Sequence, residues 1–296
     1  MCKILKRKKW LKIFVIGIIS VGFCLFSGCN KKSNHTLISS EVQIDEEKLL
    51  KNSREGPNFR ENFDKAIEKN SDTVAWIHIP GTDISYPVVQ DLQKRGKGKE
   101  HYYEHRTFEG DKVEVGKESA IMSMNDNILF PFDKLSSNVV ISGHNVNLKD
   151  IPNHKMFAPL LNFRDLEFSK NTPYIFLTTK DKDLVYEVFA SGNMEERFDY
   201  YIPKNSEKEV EAMIKEVKER SNFIYDDVKV NGKDKILTLY ACTYSDGKGN
   251  FWKYLSRQYY RIKFVVQARL LSEDNIFKKE ANVKENPSPK KPFWNY

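Results

Sequence analysis

Short segments rich in Val, Ile, Tyr and Phe recur through the middle of this chain of 296 residues, and polar or turn-forming residues separate them. Many short strands at this spacing are typical of a β-barrel or a β-sandwich. The sequence therefore predicts a mainly β fold. The predicted strands are 74–79, 84–90, 119–124, 138–142, 174–179, 184–191, 235–240 and 261–271.

Two helices are predicted beside these strands. Before the first strand, apolar residues recur at i, i+4, i+7 and i+8 from Phe59 to Ile67, which is one face of a helix. Between two late strands, Ser206 and Glu209 form a capping box, and an apolar stripe follows as far as Val217. We expect that stripe to pack onto the sheet.

The start of the chain is predicted to be an export signal. Residues 1–12 carry six Lys or Arg and no acid, and an uncharged apolar run of 17 residues follows from Ile13 to Cys29. Its length fits both a short membrane span and the apolar part of a signal peptide. The basic flank should stay cytoplasmic, which places the body outside the cell. An uncleaved anchor at 1–29 and a lipid on Cys29 after cleavage are alternatives with the same topology.

Composition excludes several function classes. Apolar residues make up 40% of the chain and charged residues 30%, which excludes a disordered chain and a polytopic membrane protein. The net charge of +7 is partly concentrated at the two ends, and the body is nearly balanced, so a nucleic-acid partner is not expected. We expect a polar tether at 30–55 and a disordered Lys/Pro-rich tail at 272–296.

Cysteine usage draws attention to one residue. Three of the four cysteines lie in the first 29 residues, and Cys242 stands alone in the rest of the chain. The body therefore has no disulfide framework and no C-x-x-C zinc pattern. A single cysteine in an exported body is either a buried small hydrophobe or a reactive thiol.

Three candidate catalytic side chains lie at the ends of predicted strands. An apolar strand leads directly to Cys242, and the polar stretch after it favours a thiol at the rim of the fold. His144 also follows a strand, between Gly and Asn. Arg261 opens the last strand, where a charge would by itself suit an edge strand protected from aggregation.

Together these features resemble the sortases. The shared motifs are Gly-His-Asn after a Val/Ile strand, Thr-Leu-x-x-Cys at a strand end, and Arg ahead of Val-Val on the next strand. Segments 76–82, 86–90 and 156–160 are similar to class B members in particular, as is the helix predicted at 206–220. The resemblance covers roughly 56–271, in the family's order of His, Cys and Arg.

The resemblance implies both a fold and a reaction. The implied fold is a sortase-like closed β-barrel with an N-terminal helix and a helix inserted between two late strands. The implied enzyme is anchored in the membrane of a Gram-positive-type cell with its catalytic domain outside. It cleaves a C-terminal sorting signal of surface proteins and transfers the product to an amine of a cell-wall precursor or a pilin lysine. Cys242 would be the nucleophile, His144 the proton donor and Arg261 the oxyanion donor, with no metal or other cofactor.

This sequence departs from the family pattern at two places. The residue before the cysteine is usually Thr or Ser, and here it is Ala241. Arg261 follows Cys242 by 19 residues, which is longer than is common, and counting back from the Val-Val pair makes Lys263 the alternative match. We prefer Arg261, because a planar guanidinium donates two parallel hydrogen bonds and an ammonium cannot.

Other classes of protein were weighed against this interpretation. A papain-like protease needs its Cys before its His, and an L,D-transpeptidase needs an Arg close behind its Cys; the chain has neither arrangement. Two readings without catalysis stay open. One is an exported lipoprotein whose β domain binds a ligand or partner, and the other is a sortase-like protein that binds sorting signals without cutting them. Thiol labelling of the folded protein distinguishes a reactive Cys242 from a buried structural one.

Overall fold

The structure of the protein, a computed structural model, describes residues 59–95, 102–114, 118–146, 155–195, 200, 206–243, 245, 262–272 and 277–292. All of them belong to one compact unit, Val42–Tyr296. The predicted export signal and polar tether lie outside the described residues. Among the helices that the structure does describe, none combines the length and the apolar character that a membrane span requires.

Eight strands close into a barrel in the order β1-β2-β3-β4-β8-β9-β6-β5, and two more, β7 and β10, pair with each other. The prediction of a mainly β closed barrel is therefore confirmed. In chain order the strands are β1 Thr73–His78, β2 Ser85–Val89, β3 Ile121–Ser123, β4 Asn138–Ser142, β5 Tyr174–Thr179, β6 Asp183–Glu195, β7 Phe223–Tyr225, β8 Ile236–Cys242, β9 Ile262–Leu270 and β10 Val283–Glu285.

Both faces of several barrel strands are covered, which explains why they read as continuous apolar runs instead of alternating ones. Every residue of β1 is buried. Ile77 points to the main core, whereas Trp76 packs on the outside with Phe63 and Ala66. Those two residues come from the first helix, α1 (Arg60–Lys69), so the predicted N-terminal helix covers the outer face of β1.

Two more helices follow. The short α2 (Leu166–Asn171) is capped by Asp165, whose side chain accepts a hydrogen bond from the Phe168 N–H. Six residues contain too few repeats for a periodic pattern to reveal a helix. The longer α3 (Glu207–Arg220) begins at the predicted capping box, and its apolar stripe is buried in the main core.

The C-terminal segment differs from the expectation of disorder over the part that is described. Strand β10 pairs antiparallel with β7, and Ala281 and Val283 are buried. Lys278 reaches across to the buried carboxylate of Glu187 in β6 at 2.7 Å. A composition rich in Lys and Pro predicts disorder only where no such partners exist, and here the body of the barrel supplies them.

Candidate active site

Cys242 is the last residue of β8. Its strand lies between β4 and β9 in the barrel and pairs with both, so the backbone that carries the thiol is held from two sides. The residue itself is half-buried and forms no disulfide. This placement holds the cysteine at the end of its strand with part of the residue exposed.

His144 reaches the same rim because β4 and β8 are parallel. The pairing matches Ser142 with Tyr240, and the Gly143 N–H donates to the Tyr240 carbonyl at 3.3 Å. These last paired residues precede His144 and Cys242 by two positions each, on chains roughly 5 Å apart. The barrel therefore places side by side the ends of the two strands that lead to these predicted site residues.

Gly143 is required by close packing just before the histidine. A Cβ at this position would lie 2.6 Å from the Ile121 side chain and 2.7 Å from the Phe157 ring. Both neighbours are buried. Because glycine has no Cβ, the backbone packs closely against the core here. This packing fixes the position of the backbone that leads to His144.

The imidazole ring of His144 is held by a backbone carbonyl. Its Nε2 lies 3.0 Å from the carbonyl oxygen of Glu104, which belongs to the single turn of 3₁₀-helix Tyr102–His105. A carbonyl oxygen only accepts, so Nε2 must carry the hydrogen and donate it. The other ring nitrogen, Nδ1, is then the atom left to exchange a proton with a reacting group.

Lys263 is the cation that the described residues place nearest to the thiol. It is the antiparallel partner of Cys242 in the β8–β9 pair, so both side chains project from the same face. The lysine Nζ lies 3.3 Å from the Cys242 sulfur. Arg261, the predicted oxyanion donor, lies outside the described residues.

Sequence analysis missed Arg164, which supports the chain just beyond the thiol. Its guanidinium donates to the Thr243 hydroxyl, to the Ser245 carbonyl at 2.9 Å and to the Asn193 side chain at 3.2 Å. It also lies 5.2 Å from the centre of the Phe264 ring. No local pattern marks this arginine, because its partners come from β6 and from residues about eighty positions later in the chain.

The other described histidines have different surroundings. His78 is buried between the rings of Phe59 and Phe176, and burial lowers its pKa to about 4. It lies in β1, which is four strands away from β8 around the closed barrel, and is therefore a packing residue. His105 is exposed.

The thiol and the ammonium are thus in contact across the β8–β9 pair, and the imidazole follows the end of β4, the parallel neighbour of β8. A thiol beside an imidazole is an arrangement suited to nucleophilic attack on a carbonyl followed by protonation of the leaving group. In the part of the chain that the structure describes, no three His, Cys, Asp or Glu side chains are grouped so that they could hold a metal ion.

Comparison with curated proteins finds relatives of one kind, although no family model matches the chain. The sortase B of Listeria monocytogenes is 25% identical over 265 residues, which is 86% of this chain and 95% of the relative. The sortase B of Staphylococcus aureus is 28% identical over 192 residues, which is 64% of this chain and 71% of the relative.

Solved structures agree with the sequence relatives. The structure of Clostridium perfringens sortase B matches with a TM-score of 0.55 and 25% identity, over 71% of this chain and 99% of that one. The S. aureus sortase B–substrate complex matches in fold with a TM-score of 0.54 and 24% identity, over 72% of this chain and 85% of that one. The eight-stranded barrel described above is therefore similar in fold to these solved sortase B structures.

Proposed function

We propose that this chain, which is similar to the class B sortases, is a sortase-type cysteine transpeptidase that joins surface proteins to an amine through a thioester on Cys242. The observation that carries this proposal is the parallel register of β4 and β8, which ends at Ser142 and Tyr240, two residues before His144 and Cys242. The proposed substrates are proteins that end in a sorting signal. The proposed acceptor is an amine of a cell-wall precursor or a pilin lysine.

The first half of the proposed reaction forms the thioester. The Cys242 thiolate forms a bond to the carbonyl carbon of the scissile peptide, and the π electrons of the carbonyl move to its oxygen. When this oxyanion collapses, the carbon–nitrogen bond breaks. The imidazolium of His144 gives its Nδ1 proton to the departing amine, since Nε2 is held by the Glu104 carbonyl.

The second half releases the product. The acceptor amine attacks the thioester carbonyl, His144 takes the proton that this amine loses, and the sulfur leaves as a thiolate. Thioesters react readily with amines, so a site that favours an amine over water yields ligation instead of hydrolysis. Each group then returns to the state in which it began.

We propose separate roles for the cations Lys263 and Arg261. Lys263, at 3.3 Å from the sulfur, donates to the Cys242 thiolate before and after the acyl transfer. Arg261 comes two residues before Lys263 in the sequence. We assign it the oxyanion, where one well-placed donor is worth about 3 kcal/mol in the transition state.

The proposed location is the outer face of the cell membrane, with the chain held by its N-terminus. The support for it is the basic cluster at 1–12 and the apolar run that ends at Cys29. Both an uncleaved span and a lipid on Cys29 would hold the catalytic barrel within reach of newly exported substrates. We propose no cofactor for this chemistry.

Mass spectrometry of the full chain, incubated with a panel of sorting peptides and amines, tests the proposal. We expect a peptide adduct on Cys242 and, when an amine is added, a ligated product. Cys242→Ala should give neither, and His144→Ala should lose ligation while its circular dichroism spectrum stays that of the native protein. A Cys242→Ala variant that still cuts peptides would remove the proposed nucleophile. A peptide that binds without adduct or cleavage would instead support a sortase-like binding protein.

A further inference from the structure

Two buried carboxylates lie beside the turn that holds the catalytic imidazole. Asp72, just before β1, and Asp91, just after β2, have side chains that are 3% and 1% exposed. Arg95 lies between them and donates from Nη2 to Asp72 and from Nε to Asp91 at 3.1 Å. Buried acids of this kind are retained where their charge is balanced, and breaking such a cluster is costly.

Tyr103 connects this cluster to the 3₁₀ turn Tyr102–His105. Its hydroxyl donates to the Asp72 carboxylate at 2.7 Å and accepts from the Asn70 side-chain amide at 3.0 Å. The residue is 3% exposed. A buried hydroxyl with a charged acceptor has little freedom, so the backbone of Tyr103 is fixed relative to β1.

The neighbouring tyrosine fixes the turn a second time. The Arg95 guanidinium lies 3.9 Å from the centre of the Tyr102 ring, and that of Arg106 lies 4.5 Å from it. Cations over an aromatic face contribute roughly 0.5–2 kcal/mol each, depending on their exposure. Arg95 therefore acts on both tyrosines of the turn.

The next residue along the turn, Glu104, provides the carbonyl that accepts from His144 Nε2 at 3.0 Å. A contiguous set of contacts thus runs from the buried carboxylates to the imidazole: Asp72 to Tyr103, then one peptide unit to Glu104, then His144. The carbonyl does more than locate the ring, because it selects the tautomer in which Nδ1 is available for proton exchange.

We propose that Asp72, Arg95 and Tyr103 are positioning residues for His144, acting through the Glu104 carbonyl. Their effect on turnover rests on the function proposed above, whereas their effect on the ring does not. If the turn loosens, the imidazole loses both its orientation and its preferred tautomer. Misplacing a catalytic group by about 1 Å can cost on the order of a hundredfold in rate.

The decisive variant is Tyr103→Phe, which removes the hydroxyl bonded to Asp72 and keeps the ring. We expect kcat for ligation to fall roughly tenfold or more with KM within about twofold, because substrate contacts are untouched. Histidine ¹⁵N spectra of the full chain, assigned with His144→Gln and recorded at alkaline pH where the ring is neutral, should show the Nε2–H tautomer in the native protein and lose that preference in Tyr103→Phe. Arg95→Lys should retain more activity than Arg95→Met.

Tyr174→Phe is the matched control. Tyr174 is also 3% exposed, and its hydroxyl accepts from the Lys278 N–H at 2.7 Å, away from the turn. The proposal is overturned if Tyr103→Phe leaves the His144 spectrum and kcat unchanged, or if Tyr174→Phe alters both equally. If the native chain ligates nothing, the proposed function fails. The ¹⁵N spectra then still decide whether the cluster orients the ring.

Discussion

Lys263 faces Cys242 across the β8–β9 pair, with its ammonium nitrogen 3.3 Å from the cysteine sulfur. The antiparallel register of β8 and β9 creates this contact, and the contact brings a positive charge to the proposed nucleophile. Lys263 is also the residue that aligns with the family's arginine when the count starts from Val265-Val266. The contact therefore bears directly on which of the two candidate cations, Lys263 or Arg261, acts on the thiol and which acts on the oxyanion.

Thiol reactivity and turnover should separate the roles of Lys263 and Arg261. Lys263→Ala should slow mixed-disulfide formation between Cys242 and a methanethiosulfonate reagent, because the thiolate loses a charged donor. Arg261→Ala should leave this labelling within about twofold of the native rate and lower kcat on the order of a hundredfold, because only the oxyanion is affected. If Lys263→Ala loses the greater part of kcat and Arg261→Ala loses little, the oxyanion role belongs to Lys263.

Gly143→Ala should damage both the core and the site. The added Cβ would lie well inside contact distance of Ile121 and Phe157, so the strand end must shift. We expect about 1–3 kcal/mol of destabilisation in chemical denaturation and a loss of ligation activity as His144 moves. The double variant Gly143→Ala with Ile121→Val removes one of the two clashing atoms and should recover part of both. Native-like stability and activity in Gly143→Ala would contradict the packing argument.

The buried His78 predicts a dependence of stability on pH. Its pKa is lowered from 6.5 to about 4 by burial, so the folded protein keeps the ring neutral where the unfolded chain protonates it. Titration of His78 leaves the free energy of unfolding unchanged above pH 6.5. As the pH falls from 6.5 to about 4, the same titration lowers the free energy of unfolding by about 3 kcal/mol in all. Urea denaturation at a series of pH values measures it.

His78→Phe is the control for this pH dependence, since a phenyl ring suits the pocket between Phe59 and Phe176. The difference in the free energy of unfolding between the native chain and the variant should change across this window. A difference that stays constant between pH 7 and pH 4 would show that His78 does not titrate as its burial requires.

The C-terminal segment should contribute to stability through one lysine. Lys278→Met removes a partner of the buried Glu187, which is 2% exposed, and should destabilise the protein by about 1–3 kcal/mol. Lys284→Met breaks an exposed pair with Asp226 at 2.7 Å and should cost less than about 1 kcal/mol. Equal effects of the two substitutions in thermal unfolding would mean that the segment is not held through Glu187.

Much of the barrel can be predicted from the sequence. The predicted strands at 138–142 and 174–179 coincide with β4 and β5, and the capping box at Ser206 begins α3 as expected. These elements are long or carry strong local patterns. Strands β7 and β10 have three residues each and lack the longer apolar run that predicts the equally short β3, and they pair with each other outside the barrel.

The candidate site, like the barrel, could be predicted only in part from the sequence. The sequence alone determined that Cys242 and His144 each follow an apolar strand, because strand propensity and the polar turn after it are local properties. Only the tertiary structure decided that those strands are parallel neighbours, that Lys263 faces the sulfur, and that the Glu104 carbonyl holds the imidazole. Such contacts depend on strand order and register, which side chains far apart in the chain establish together by packing around one core.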